Sequence, residues 1–388
     1  MKITVAPDYL LSALRIANLC IDNKGGMSSN FLFRVLPDET AEILSKSTRT
    51  FSVCPVVCTT EVEEGEDPRF TVEAWRLIKW VNTINSGNNV ITLSHKDGEV
   101  TAKCGRSKVK FRSLDPNGFR GWDSLYDKAE DCCKVDPVVL SRALAAGKTM
   151  VSQEDTLKPE NCQLVAWGDS IASTDQRGVV NVGLPYEGIN IRVPFKDIPT
   201  VQKFIDDKDT VDNPVYIKES KRPKEEGGSE FDFFARPDGT YIGVARLSLL
   251  PAKVLTPGKD QKCHAYINLH SEEFQTALSV LTASAPRGHH TAHFSIQGES
   301  VTLSMPSAAG GKDSYPMIHT QAEEGGENLE FFIDYHYFID LFGLFSISEL
   351  RVGVYKAGQK GYVTMYHDDP ESDESNSYSF AVGCHFET

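Results

Sequence analysis

The chain has 388 residues, 40% of them hydrophobic and 24% charged, and 54 Asp and Glu against 40 Lys and Arg leave a net charge of -14. That length suffices for roughly two to four domains with sizeable cores, and the composition excludes a largely disordered chain. It also excludes an all-round basic coat for nucleic acid, though not a basic patch on an acidic body.

No run approaches the ~18 apolar residues that a membrane-spanning helix needs. The opening MKITVAPDYLLSAL has one Lys and then acidic and polar breaks, which predicts neither a secretory signal nor a transit peptide. Nine cysteines, an odd number with no dense framework, are expected to be reduced thiols filling small apolar sites, as in a cytoplasmic protein. Cys54 and Cys58 share a strand-like run, and Cys132 and Cys133 are adjacent. Zinc-ligand spacing is absent, and the nearest candidate partners are His289 and His290 in a Gly-flanked loop, so no metal or cofactor is expected.

Along the chain, a strand followed by a helix start and an Ala-Leu pair occurs three times, at residues 3–14, 133–144 and 267–278. The Ala of each pair is Ala13, Ala143 and Ala277, spaced 130 and 134 residues apart. A second strand-then-helix segment recurs at 70–81, 191–205 and 331–345. Its strand ends at Val72, Val193 and Ile333 follow Val5, Val135 and Leu269 by 67, 58 and 64 residues. Two independent landmarks in phase predict tandem copies of one unit. Strand-rich tails follow each second helix, with Asp-Gly hairpin turns at Asp97-Gly98 and Asp238-Gly239.

Each block therefore reads as α+β, two helices packed on antiparallel sheets. The blocks span residues 1–126, 127–257 and 258–388. Polar stretches at 221–230 and 367–376 read as loops inside blocks.

On a helical wheel, Leu10, Ala13, Leu14 and Ala17 oppose Asp8, Ser12 and Arg15. Ala74, Leu77, Ile78 and Val81 oppose Arg76, Lys79 and Thr83. In the middle block, Leu140 and Leu144 oppose Arg142, and Ile198, Val201 and Ile205 oppose Lys196 and Lys203. An acidic protein that keeps basic side chains for the exposed lines of four helices can present them to a polyanion. The third block departs from this: Phe274, Leu278 and Leu281 oppose Thr276 and Ser279, and Phe338, Phe342 and Phe345 oppose His336 and Asp340. Any cationic contribution there must come from Arg287, His289 and His290.

Catalytic motifs are missing: there is no Gly-rich phosphate loop, no HExxH and no Ser, His and Asp spacing that stands out. Asp206-Asp207 and Asp368-Asp369 read as solvated loop acids. An enzyme is not expected.

Three blocks of this kind resemble the bacterial β sliding clamp, the processivity ring of DNA polymerase III. Residues 105–119 (GRSKVKFRSLDPNGF) look like the family's Gly-Arg-Ser basic strand running into a turn and a Phe. Residues 173–180 (STDQRGVV) are similar to its Ala-Thr-Asp-Gly-His-Arg-Leu-Ala segment, and residues 191–197 (IRVPFKD) to its Val-Pro-Arg-Lys helix start. The matches run in order along the whole chain. Their divergence fits an atypical member, such as a phage-encoded one.

The resemblance implies a head-to-tail homodimer, six clamp domains closed into a ring whose helices line a hole for duplex DNA. Weak, sequence-independent phosphate attraction would let it slide. Arg15, Lys24, Arg76, Lys79, Arg142, Lys148, Lys196 and Lys203 are the implied DNA-facing cations. The implied partner-peptide pocket, serving the replicative DNA polymerase and a clamp loader, takes in Thr174, Asp175, Arg177, Val179, Pro251, Val254, Leu255 and Val382. Here Gln176 replaces the family's Gly-His, and the chain ends AVGCHFET rather than in its Met-Pro-Met-Arg-Leu type. The implied ring interface uses Val109 and Phe111 against Val280 and Leu281. A three-domain scaffold that recruits replication proteins without encircling DNA is the alternative.

Overall fold

The computed structural model describes residues 1–22, 25–38, 40–84, 89–119, 123–151, 163–175, 178–221, 230–247, 265–298, 300–323, 328–342, 349–357, 360–367 and 378–386. The chain forms two compact units, residues 1–138 with 196–246, and residues 139–195 with 247–388. No helix among the described residues is long and apolar enough to cross a membrane.

In the first unit, β1 (Lys2–Val5) runs directly into α1 (Pro7–Ala17). Pro7 opens the helix, where its missing N–H is no loss, and Asp8 complements the positive end of the helix dipole. Strands β2 (Asn30–Val35), β3 (Ala41–Lys46), β4 (Thr50–Val56), β5 (Cys58–Glu61) and β6 (Arg69–Glu73) lead to α2 (Ala74–Val81). Leu77 and Val81 on α2 are buried, each contributing roughly 1.5–3 kcal/mol. Next, β7 (Ile91–Lys96) and β8 (Glu99–Cys104) join through Asp97 and Gly98, at φ 51° and 75°. Two successive positive φ angles match the strand twist, and Gly98 adopts its angle without a Cβ penalty. Strand β9 (Ser107–Arg112) follows, then α3 (Asp123–Tyr126) and β10 (Glu130–Val135). The unit is completed by α5 (Ile198–Ile205), β15 (Val215–Lys221), β16 (Glu230–Ala235) and β17 (Tyr241–Ala245).

These strands form two antiparallel sheets, β5-β1-β7-β8-β9 and β10-β15-β16-β17-β4-β3-β2-β6. The second is continuous because β17 pairs with β4, Tyr241 opposite Val53 and Val244 opposite Thr50. One core seals that seam: Leu44, Phe51 and Val53 pack with Phe231, Phe233 and Tyr241, and Tyr126 stacks on Tyr241 at 3.8 Å between ring centroids.

The second unit holds most of α4 (Pro137–Lys148), with β11 (Gln163–Gly168), β12 (Ser170–Thr174), β13 (Gly178–Gly183) and β14 (Ile189–Pro194). It continues with β18 (Ala265–His270), α6 (Ser271–Ser284), β19 (Thr291–Gln297), β20 (Ser300–Pro306) and β21 (Lys312–Glu323). It ends with β22 (Leu329–Asp334), α7 (His336–Phe342), β23 (Glu349–Ala357), β24 (Lys360–His367) and β25 (Tyr378–Phe386). Strand β25 pairs with both β24 and β22, so the strands β25-β22-β19-β20-β21-β18-β23-β24 close on themselves and leave no lateral edge. The first half of β25 also pairs with β13, Gly178 opposite Val382, which extends the sheet through β12, β11 and β14.

All six sequence-predicted helices are present, each following a strand (α5 through the short 3-10 turn Phe195–Asp197). Their predicted apolar lines are largely buried, with Leu10, Leu14, Leu140, Leu144, Val201, Phe274 and Phe338 at 0–1% exposure. The loop stretches expected at 221–230 and 367–376 lie outside the described residues except at their ends.

The described cysteines form no disulfide; Cys20, Cys54, Cys104 and Cys384 are buried. Burial pushes the Cys20 and Cys384 thiols up to about 12, which leaves them small hydrophobes rather than nucleophiles.

Helix α4 lies close on β11. A Cβ at Gly147 would sit 3.1 Å from Leu164 Cγ and 3.2 Å from Ile171 Cγ2, and would collide with Leu164 Cδ1. Gly147→Ala is expected to cost about 1–3 kcal/mol by overpacking, read as a lower urea midpoint. An unchanged midpoint would mean that α4 can lift away without penalty.

Candidate functional site

The exposed helix lines carry most of the predicted cations. In the first unit Lys79 on α2 and Lys203 on α5 are exposed, as is Lys196 in the turn before α5. In the second, Arg142 and Lys148 on α4 are exposed. Lys79, Arg142, Lys148 and Lys203 make no ion pair among the described residues, so their charges face solvent. The wheel placed them correctly because the residues at neighbouring positions (Leu77, Leu140, Leu144, Val201) are held in the core.

Two predicted cations behave differently. Arg15 Nε donates to Asp207 Oδ2 at 2.5 Å, and its Nη2 donates to Asp209 Oδ2 at 2.9 Å. Hydrogen bonding to Asp207 raises the Arg15 pKa, against a smaller opposing effect of burial. Arg236 Nη2 binds the other side of Asp207 at 2.9 Å. Asp207 is thus a buried structural acid that joins α1 to the end of α5, not the solvated loop acid expected from sequence. Its partner Asp206 is exposed, and Asp368-Asp369 lies outside the described residues.

Arg76 reaches Glu73 at 3.3 Å and lies over the Phe111 ring at 5.4 Å. Both Arg15 and Arg76 are half-buried and paired with carboxylates. Lys24 lies outside the described residues. Arg15, Lys203 and Lys208 share the walls of a hollow of about 440 Å³ with Asp206 and Asp207. Sequence reasoning missed Lys208, which belongs to no helical stripe.

The third-block helices offer no Lys or Arg at all. Thr276, Ser279 and Val280 are exposed on α6, and Glu272 and Glu273 occupy its first turn.

The pocket residues that the structure describes gather at the β12–β13 turn and the strand beside it. Thr174 is buried, and its Oγ1 donates to the Gly178 carbonyl at 2.7 Å. Asp175 Oδ1 accepts from Gly178 N at 2.9 Å, and its Oδ2 accepts from the Tyr337 hydroxyl. Asp175 therefore ties the turn to α7. Tyr337 was not foreseen, since 162 residues separate the two. Val179 is half-buried and opposite Ala381, one step from the Gly178–Val382 pair. Arg177, Pro251, Val254 and Leu255 lie outside the described residues.

Among the predicted interface residues, Phe111 and Leu281 are buried at 1%, Val109 is half-buried and Val280 is 52% exposed. Val109 and Phe111, two residues apart on β9, share one face of it, and among the described residues β9 pairs with β8 alone and has no partner on its other edge.

Solved structures share this architecture along the whole chain. DNA polymerase III subunit β from Pseudomonas aeruginosa matches with a TM-score of 0.77 at 16% identity, covering 100% of both chains. The Caulobacter crescentus DNA polymerase sliding clamp matches with 0.79 at 16% identity, again over 100% of both. A DNA polymerase III β subunit from Eubacterium rectale matches with 0.79 at 12% identity, over 99% and 98%.

The chain has the β sliding-clamp fold. No family model and no curated protein matches it. At identities this low the sliding-clamp likeness resides in the course of the backbone. Within this clamp fold, the described part of the sequence matched to the family's Thr-Asp motif lies at the end of β12 and the start of β13, and the Gly-Arg-Ser match runs into edge strand β9.

Proposed function

We propose that the protein is a DNA sliding clamp, a non-enzymatic ring that encircles duplex DNA and tethers the replicative DNA polymerase for processive synthesis. The full-length clamp fold carries this reading. Three clamp domains, 1–126, 127–257 and 258–388, would pair head-to-tail with a second copy, giving a six-domain ring. The edge of β9 with Val109, and exposed Val280 on α6, would supply the two surfaces of that interface, with Phe111 and Leu281 behind them in the core.

Exposed Lys79, Arg142, Lys148, Lys196 and Lys203 would attract phosphates without reading bases, while the acidic remainder repels DNA from the outside. The turn at Thr174 and Asp175, with Val179 and Val382, would border a site for short peptides of the polymerase and a clamp loader. The protein would act in the cytoplasm, on DNA.

Native mass tests the assembly. The expected result is a dimer near twice 42.9 kDa whose solution scattering fits a ring. A monomer at micromolar concentration, with Val109→Arg changing nothing, would remove the ring.

A further inference from the structure

The third repeat holds a cluster that the clamp reading does not use. Register places it: Thr291 on β19 sits opposite Asp334 on β22, so His290, just before β19, falls beside residues 335–336 at the start of α7. Two bonds lock the crossing, Tyr335 N to the His290 carbonyl at 3.0 Å and the Tyr335 hydroxyl to the His289 carbonyl at 2.6 Å. The Tyr335 ring stacks on the His336 ring at 4.5 Å, and His336 N donates to Asp334 Oδ1 at 3.1 Å.

The outcome is three donor side chains facing one another. His290 Nδ1 lies 2.9 Å from His336 Nδ1, which lies 3.5 Å from Asp334 Oδ1, and each residue offers one atom within 4.8 Å of the other two. Metal–nitrogen bonds of about 2.0–2.1 Å at tetrahedral angles put ligand atoms about 3.3 Å apart, and these separations straddle that value. His289 is committed elsewhere, its Nε2 lying 2.6 Å from the Thr291 carbonyl.

The geometry points to a binding site for a first-row divalent cation of the zinc class, held by His290, Asp334 and His336. Two imidazoles and one carboxylate select such ions over magnesium or calcium, which prefer all-oxygen sites. Three protein ligands on a partly exposed surface leave at least one position open.

The cation changes the charge of the repeat that lacks basic helices. With neutral imidazoles the site carries -1 from Asp334, and a bound divalent ion makes it +1. The open position can take a phosphate oxygen. This last role rests on the clamp reading; cation binding itself does not.

Zinc titrated into the full chain tests the site, followed by calorimetry and by ring-nitrogen NMR of the histidines. NMR separates imidazole from thiol ligation. The expected result is one equivalent that shifts His290 and His336 together, with affinity falling roughly 100-fold or more in His336→Ala and in His290→Ala. Asp334→Asn, which keeps the turn's hydrogen-bond acceptor, should weaken binding while circular dichroism stays unchanged.

No saturable shift at these two rings, or an affinity in both histidine variants equal to that of the unaltered chain, overturns the site. DNA association provides the second arm. A zinc-dependent gain that His336→Ala abolishes supports the phosphate role. Zinc binding without that gain overturns the role, even when Lys79 and Arg142 variants show that the rest of the lining works.

Discussion

Replacing Arg246 by Met should cost the first unit about 3–5 kcal/mol, the largest effect expected of any single substitution here. Arg246 follows β17 with its side chain 2% exposed, and it gathers three carboxylates. Its Nε lies 3.0 Å from both oxygens of Asp232, which is fully buried on β16, and its Nη1 reaches Glu219 at 2.8 Å and Glu230 at 3.1 Å. Burial alone would lower the Arg246 pKa, yet the carboxylates outweigh it and raise it. Removal of the guanidinium leaves like charges crowded in a low dielectric, and that repulsion, more than a lost bond, sets the cost.

Loss of amide protection across β15–β17 and a lower urea midpoint are the readouts. The variant's deficit should shrink at acid pH. A buried carboxyl deprived of its cation has a raised folded pKa, so the folded state holds its proton more tightly and stability falls as pH rises. Arg246→Met with Asp232→Leu should recover most of the loss, because an apolar pair of similar volume replaces an ion pair without a stranded charge. A single variant as stable as the parent would show that water reaches this cluster.

If the proposed clamp reading holds, reversing four exposed charges, Lys79→Glu, Arg142→Glu, Lys148→Glu and Lys203→Glu, should abolish DNA association at moderate salt while leaving the fold intact. These side chains are exposed and form no ion pair among the described residues, so each change should move stability by no more than about 0.5 kcal/mol. Each lost phosphate contact removes about 0.9 from the slope of log affinity against log salt, so the slope should fall by roughly 3 to 4. Arg15→Glu is a contrasting control, since it breaks the Asp207 network and should act first on stability. A scaffold that never encircles DNA predicts indifference to all four reversals.

Helix positions and their buried lines were legible because both depend on short-range periodicity. Leu77, Leu140 and Val201 are buried where a 3.6-residue repeat puts them. The Asp97-Gly98 turn was legible because its residue types match the backbone angles it needs. Pairings that fuse sheets, β4 with β17 and β13 with β25, left no such trace, since strands far apart in sequence find each other through burial rather than local pattern.

The same reason separates the side chains whose exposure was legible from those whose bonding partners were not. Lys79 and Arg142 are defined by their own helix. Arg15 depends on Asp207, and Asp175 on Tyr337, both more than 150 residues away. The two histidines that meet across β19 and β22 lie 46 residues apart, a spacing that matches no metal motif.

Retention on circular DNA tests topological enclosure most directly. The protein is assembled on a nicked circle, with a clamp loader if loading requires one, washed at salt high enough to screen phosphate contacts, and followed after a single cut elsewhere in the circle. Enclosure predicts retention on the circle and rapid loss once an end is available. Equal loss from circle and linear DNA, under conditions where loading is demonstrated, would contradict it.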